Sequence, residues 1–404
     1  MTRVLRGATL IDGTGAKPLA NSVIVVEGQR IAKVGTLADF GSQLPAKDKD
    51  IIDLSGCFII PGLINCHEHL DMRRAPGTFQ ERIAKDSLYT VMRSVRNCLV
   101  NLQEGITTVR DLHSKGCNAL YVRQAINEGM IIGPRVFTCG TPISMTGGHG
   151  DEVCLVADGV DAVRKAARTL LRAGADIIKV MASGGFVSVG RDLPTSPQLT
   201  VEEMRAAFDE AHRAGKPTTA HAHAPRAIRD AIEAGVDCIE HGGLLDQETA
   251  ALMAQKGIPL IATVSGIWIT AEHGIELGRP QWLVETCRAG LRRWMSSLSQ
   301  TIAAGVRVGA GTDGGDMFQE MILLNEAGLS PMQVIQAATM TAAEILCQQS
   351  DLGSVEPGKL ADMVVLRVDP LSDIQNTRAI KLVIKDGVIY DPQTLAAATG
   401  KWPL

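Results

Sequence analysis

Apolar and polar positions along the chain fall into two regimes. Residues 4–11 and 22–35 are short runs rich in β-branched residues, and Val25–Ile31 carries Gly28 between two apolar runs, the pattern of a hairpin. A similar text returns at the far end, where Asp362–Leu366 and Ile380–Ile389 read as strands with a turn at Asp386–Gly387. More than 300 residues separate the two clusters, which predicts one small composite β-sandwich domain built from residues 1–56 and 352–404. Between them, apolar runs at 58–64, 106–111, 135–139, 177–181, 217–222, 237–241, 258–263 and 306–312 alternate with stretches of helical spacing such as Val160–Ala173, Val201–Ala214, Ala224–Ala234 and Gln247–Lys256. Eight such units predict an α/β fold, a (β/α)8 TIM barrel over residues 57–351. An open doubly wound sheet fits less well, because no G-x-G-x-x-G follows the first strand.

Composition narrows the function classes. Lys+Arg 40 against Asp+Glu 44 gives a net charge of −4 with the signs interspersed, so no basic surface is available for nucleic acid or an anionic membrane. Hydrophobic content of 45% and charged content of 21% belong to a folded globular chain and exclude disorder and coiled coil. Aromatic residues make up only 3%, which leaves few stacking platforms for a large aromatic substrate. The nine cysteines are scattered and form no C-x-x-C pair, against both a disulfide framework and a zinc ribbon, and a reducing cytoplasm is the expected location. Met1–Arg6 lacks the layout of a signal peptide, and the apolar run Cys57–Ile64, interrupted by Pro61, is far too short to span a bilayer.

In a barrel, reactive side chains gather at the C-terminal ends of the strands. The first strand leads into His67-Glu68-His69, and in extended chain residues i and i+2 point to the same side, so both imidazoles can face one cavity. The fourth strand ends near Lys179, the fifth at His221-Ala222-His223, the sixth at Glu240-His241 and the eighth at Thr312-Asp313. Neutral imidazoles and carboxylates are ligands for divalent ions. Each residue also has a plain structural reading. A lone His-x-His pair is more often hydrogen-bonded or on the surface, His241 can be a satisfied buried histidine, Lys179 can snorkel, and Asp313 before two glycines can make a turn or cap a helix. Independent structural roles would not place this set at the ends of five strands of one barrel.

The segment Ile60-Pro61-Gly62-Leu63-Ile64-Asn65-Cys66-His67-Glu68-His69 and the C-terminal Gly353–Leu366 resemble the amidohydrolase superfamily across nearly the whole chain. Thr146–Asp151, Lys179–Gly185 and His221-Ala222-His223 resemble its prolidase-like, imidazolonepropionase-related branch of binuclear metal-dependent dipeptidases. Asn65 departs from the Asp that many relatives carry there, a change expected to alter support around the ligands rather than metal binding. The resemblance implies two divalent ions, with zinc the expected metal. His67, His69 and Asp313 would hold one and His221 and His241 the other, with Lys179, N-carboxylated by CO2, bridging them. An unmodified ammonium has no lone pair to offer a cation. His223 competes with His221 as the strand-five ligand and otherwise touches substrate. His149, in a Gly-rich segment, is the candidate to polarise the scissile carbonyl or bind a carboxylate. His212 is expected on a helix surface, and His113 and His273 are unassigned.

The resemblance further implies a hydrolase in which a bridging hydroxide attacks an amide carbonyl while Asp313 shuttles the proton to the leaving nitrogen. No G-x-S-x-G elbow surrounds Ser144 or Ser183, which disfavours an acyl-enzyme. The expected substrates are dipeptides or N-acyl amino acids with a C-terminal Pro or hydrophobic residue. Arg226 and Arg191 are candidates for the substrate carboxylate. Asp151 and Glu152 keep open a version acting on Xaa-Arg or Xaa-Lys peptides, and the same two metals suit an ochratoxin-type amide, a carbamate or another xenobiotic. A mononuclear deaminase would have no use for Lys179, and a non-catalytic scaffold would not need every ligand type present. The expected assembly is a homo-oligomer.

Overall fold

The β-rich text at the two chain ends folds into one eight-stranded sheet. Its order is Val388–Tyr390, Ile380–Lys385, Met363–Leu366, Phe58–Pro61, Thr2–Leu10, Leu19–Glu27 and Arg30–Thr36, with Ile51–Asp53 also paired to Thr2–Leu10. In this computed structural model the described residues are 2–40, 47, 50–73, 77, 79–186 and 193–399. Leu5, Ile24, Ile31, Ile59, Met363 and Val365 share one apolar core, so strands from both ends enclose a common interior. The turn expected at Asp386–Gly387 joins Ile380–Lys385 to Val388–Tyr390, and both turn residues take positive φ, 51° and 72°, as a two-residue hairpin turn requires.

The strand expected over 58–64 is two strands in two sheets. Phe58–Pro61 pairs antiparallel with Met363–Leu366, whereas Leu63–Glu68 opens the barrel. The break falls at Gly62, where an added Cβ would lie 2.2 Å from Thr107 Oγ1. Both halves are buried, so the apolar run shows no gap at the switch.

The (β/α)8 barrel then proceeds through Leu63–Glu68, Ile106–Asp111, Arg135–Thr138, Ile178–Met181, Thr218–Ala222, Cys238–His241, Leu260–Ile261 and Val308–Gly309, paired in parallel. Hydrogen bonds from Cys66 N to Ala310 O (3.0 Å) and from Asp313 N to His67 O (2.8 Å) close the eighth strand onto the first. Asp176 N donates to Thr138 O (2.8 Å), joining the third strand to the start of the fourth. Helices lie between the strands where the periodicity predicts them, among them Val160–Ala173, Val201–Arg213, Pro225–Ala234 and Gln247–Lys256. Thr200 and Glu203 form a reciprocal capping box on the second of these.

Two additions shape the mouth. The short parallel strands Ile143–Ser144 and Leu155–Val156 extend the sheet beside the fourth barrel strand and frame the glycine-rich segment that carries His149. A 23-residue helix, Gln281–Ala303, lies between the seventh and eighth strands and carries Trp294.

Candidate metal centre

Barrel strand one brings His67 and His69 to the same cavity, as its two-residue period dictates, with ring centroids 5.1 Å apart. Asp313, just past strand eight and held at φ +48°, reaches both: its Oδ1 lies 2.9 Å from His69 Nε2 and 3.6 Å from His67 Nε2. One ligand atom from each of the three lies within 4.8 Å of the others, a group that could hold a metal ion. His67 Nε2 and His69 Nδ1 are buried without a hydrogen-bond partner among the described residues. A donor set of two imidazoles and a carboxylate with an orphaned ring nitrogen fits a divalent cation.

The ring of His67 is fixed from behind. Its Nδ1 lies 2.7 Å from Glu240 Oε2, so with that nitrogen donating, the Nε2 lone pair faces Asp313. Glu240 also accepts from Arg110 at 2.6 Å and from the Thr219 hydroxyl, all within the barrel interior. Burial pushes the Glu240 carboxyl up, but Arg110 and the hydrogen bond to His67 outweigh it and hold it down to about 2. Replacing Glu240 by Gln leaves the buried Arg110 guanidinium without its counter-charge, and we expect a loss of about 3 kcal/mol of stability in the metal-free protein. Chemical denaturation of both proteins in a chelator measures it. The same variant should bind metal at least tenfold more weakly, because the histidine loses its orienting partner.

The remaining imidazoles continue the cluster. The ring centroid of His241 lies 4.8 Å from that of His67 and 4.4 Å from that of His221, and His223 lies 4.8 Å from His221 and 5.0 Å from His241. His241 takes φ +76° and its Nδ1 is 2.7 Å from Thr263 Oγ1, while His221 Nε2 is 3.2 Å from Gly184 O. Burial is the first cause holding these rings neutral. It takes His67 down to about 4 and His223 to about 3, and puts His221 and His241 well below the ordinary histidine range. Lys179, on the fourth strand, is 2% exposed and makes no hydrogen bond or ion pair among the described residues. Its charge nevertheless acts on His67, His221, His241 and Asp313.

His149 reaches over this group and stacks on His221 at 4.3 Å and 22°. Space for it comes from Gly185, where a Cβ would fall 2.2 Å from His149 Cε1. Arg226 does not join the cluster. It sits on the helix Pro225–Ala234 with its side chain 72% exposed and pairs with Asp230 at 2.9 Å, because its helical position turns it to solvent. The other candidate for a substrate carboxylate, Arg191, lies outside the described residues. Asp151 accepts from Gly147 N (3.0 Å) within its own turn, and Glu152 is exposed. His212 is on the helix surface, 2.8 Å from Asp237, and His273 pairs with Glu276.

Four residues that sequence reasoning did not single out as site residues surround the centre: Glu240, Arg110, His113 and Glu320. Arg110 could have been found, since a charge inside a buried parallel strand must have a buried partner. His113 is buried with its ring 5.5 Å from that of His69. Asn65, the departure noted in the sequence, links strands one and eight: its Nδ2 donates to Thr312 Oγ1 (2.8 Å) and Glu68 Oε2 (3.2 Å), and its Oδ1 accepts from Thr312 N (3.1 Å). An aspartate here would set two carboxylates against each other.

Glu320 receives Ser265 N at 2.6 Å and so anchors the turn that carries Thr263, the partner of His241. Burial pushes its carboxyl up to about 7 against the opposing backbone hydrogen bonds. A carboxyl raised in the folded state favours folding when protonated and opposes it once ionised, so Glu320 costs stability progressively from about pH 4.5, its unfolded value, to about pH 7. Glu320→Gln should therefore raise the melting temperature at pH 8.5 and lose that advantage at pH 4.5. Equal shifts at both pH values would contradict this.

Comparison with known proteins places these features in context. The profile of the amidohydrolase family matches residues 58–390. Ochratoxinase from Aspergillus niger is 33% identical over 96% of this chain and 86% of its own. A prolidase solved with N-methylphosphonate-L-proline superposes with TM-score 0.89 at 31% identity, covering 97% of this chain and 100% of the other. A Xaa-Pro dipeptidase with methionine in its active site superposes with TM-score 0.87 at 29% identity, over 97% and 100%. No helix among the described residues is long and apolar enough to cross a membrane.

Proposed function

Because this chain belongs to the amidohydrolase family and so is a hydrolase of amide or peptide bonds, we propose that its substrates are dipeptides or N-acyl amino acids ending in Pro or a hydrophobic residue. The observation that carries the reading is the group His67, His69 and Asp313, whose buried His67 Nε2 has no hydrogen-bond partner among the described residues, beside a buried Lys179 that makes no hydrogen bond or ion pair among them. His67, His69 and Asp313 would hold one divalent ion, His221 and His241 a second, and Lys179, carboxylated on Nζ, would supply oxygen ligands to both, with zinc as the metal. Bound there, the ions supply a Lewis acid for the carbonyl and a water acidic enough to ionise near neutral pH.

The chain's own groups do the rest. Asp313 accepts the proton of the attacking water and returns it to the leaving nitrogen. His149 and His223, both against His221, orient the substrate from the open side. A proline amide carries no N–H, so the site need offer it no acceptor. An ochratoxin-type amide is a second reading, favoured by the likeness to ochratoxinase and by Phe186 and Trp294, whose rings stand 4.9 and 5.1 Å from His223.

A library of dipeptides and N-acyl amino acids, assayed for amine release with added Zn²⁺, tests the proposal. Turnover that disappears with a chelator and returns with metal, together with about two metal equivalents per chain, is the expected result. Protein that binds no metal after gentle purification, or that releases amine from no member of the library, would overturn it.

A further inference from the structure

Behind the metal centre, on the side of barrel strands one and two, a second group of buried side chains is left without partners. The helix Ser87–Gln103 packs against the segment that follows strand one, where Asn97 Nδ2 donates to Leu70 O at 2.7 Å. Arg93 lies one turn earlier on the same buried face, beside Asp71. Lys115 N donates to Asp71 Oδ2 at 3.2 Å, which brings the segment after strand two, with His113, to the same place. Arg93, Asp71 and His113 are 8%, 0% and 5% exposed.

Among the described residues, Arg93 Nε and Nη2, Asp71 Oδ1 and His113 Nε2 make no hydrogen bond. Buried polar atoms without partners are uncommon, because each forfeits its hydrogen bonds to water. Nε and Nη2 share one edge of the guanidinium, the fork whose two parallel N–H groups match a pair of oxygens on one planar group. Burial depresses Arg93, and the field of Asp71 opposes this without outweighing it. Arg82 is taken down to about 9 by burial and then by the fields of Arg279 and Arg93, against those of Asp313 and Asp71. A water would satisfy the orphaned atoms but leave these guanidinium charges as they are, whereas an anion answers both needs. A bare carboxylate on the fork would face the carboxylate of Asp71. An oxyanion that carries one proton escapes this by donating it. Burial takes the His113 ring down to about 4, so it is neutral, and its hydrogen bond to the Val153 backbone uses its other nitrogen, leaving Nε2 as an acceptor.

We propose that Arg93, Asp71 and His113 form a bicarbonate site, with two anion oxygens on Arg93 Nε–H and Nη2–H and the hydroxyl turned toward the acceptors Asp71 Oδ1 and His113 Nε2. Bicarbonate is small and planar, supplies the pair of oxygens that the fork requires, and keeps one proton to donate. The site does not depend on the amide-hydrolase reading above. The His113 ring lies 5.5 Å from that of His69, so the bound anion stands one ring behind a candidate metal ligand.

The test is isothermal titration of the full chain with sodium bicarbonate near pH 8. A chelator and a Lys179→Met background ensure that neither a metal nor carboxylation of that lysine contributes to the signal. Bicarbonate should bind once per chain and about tenfold more tightly than nitrate, which is planar but has no proton to give. Arg93→Met should weaken bicarbonate by about tenfold, and Arg93→Lys, which keeps the charge without the fork, by about fivefold. The comparison of anions needs no change at Arg93, so it decides the matter even where a variant fails to fold. Nitrate or phosphate held as tightly as bicarbonate, affinity unchanged in Arg93→Met, or no binding at all overturns the proposal.

Discussion

Asp313→Asn is expected to lower kcat/KM by about three orders of magnitude while leaving the fold in place. The residue sits at φ +48° immediately after strand eight, and Asn is among the few side chains that accept that conformation readily. Its backbone N–H donates to His67 O at 2.8 Å, a bond the substitution retains. The carboxylate charge is what changes. Burial pushes the Asp313 carboxyl up, but the hydrogen bond from His69 and the fields of His67 and Lys179 outweigh it and hold it well below the ordinary carboxylate range. It is thus an anion at working pH and can serve both as a ligand and as a proton acceptor. An Asn oxygen can still approach a cation, but it takes no proton from water. Steady-state kinetics at saturating metal separates the two losses. A variant that keeps more than a tenth of wild-type turnover under those conditions would remove Asp313 from proton transfer, and a fall repaired by added metal would assign it to ligation alone.

The architecture was largely legible in the sequence, because parallel barrel strands are buried on both faces and read as continuous apolar runs between amphipathic helices. Val160–Ala173 and Gln247–Lys256 occupy the expected residues, each followed by a glycine in the left-handed conformation that ends it. The same continuity hid the switch at Gly62, since a strand of the composite sheet and a barrel strand are equally apolar. The histidines were legible because their spacing places them at strand ends. What joins them was not. Glu240 and Arg110 come from strands six and two, and nothing local to either names the other. Trp294 lies 71 positions beyond His223 on a long helix whose register alone decides which side chain meets the cavity. Arg226 failed for the complementary reason: proximity in sequence to His223 says nothing of direction once a helix begins between them.

Lys179→Met is expected to abolish turnover, by at least three orders of magnitude, while making the metal-free protein more stable. Taking an ammonium out of water without a counter-charge is costly, and Lys179 is 2% exposed with no carboxylate within ion-pairing distance among the described residues. Its neighbours include imidazoles held neutral, and the Asp313 and Glu240 carboxylates act on it only from beyond ion-pairing distance, which offsets the cost in part. Met has similar length and no charge, and such replacements of buried ionic groups stabilise by on the order of 1–4 kcal/mol. A lysine retained at such a cost is explained by chemistry that an apolar side chain cannot perform. Carboxylation removes the positive charge and adds two oxygens, and only that form can serve cations on both sides of it. Thermal unfolding in a chelator should therefore show Lys179→Met melting above the wild type. Metal analysis should find it binding fewer ions per chain, and bicarbonate should raise the activity of wild-type protein prepared free of CO2 but not that of the variant. A lower melting temperature together with retained turnover would mean that the ammonium itself is a structural group, and the two-ion scheme would then have no bridge.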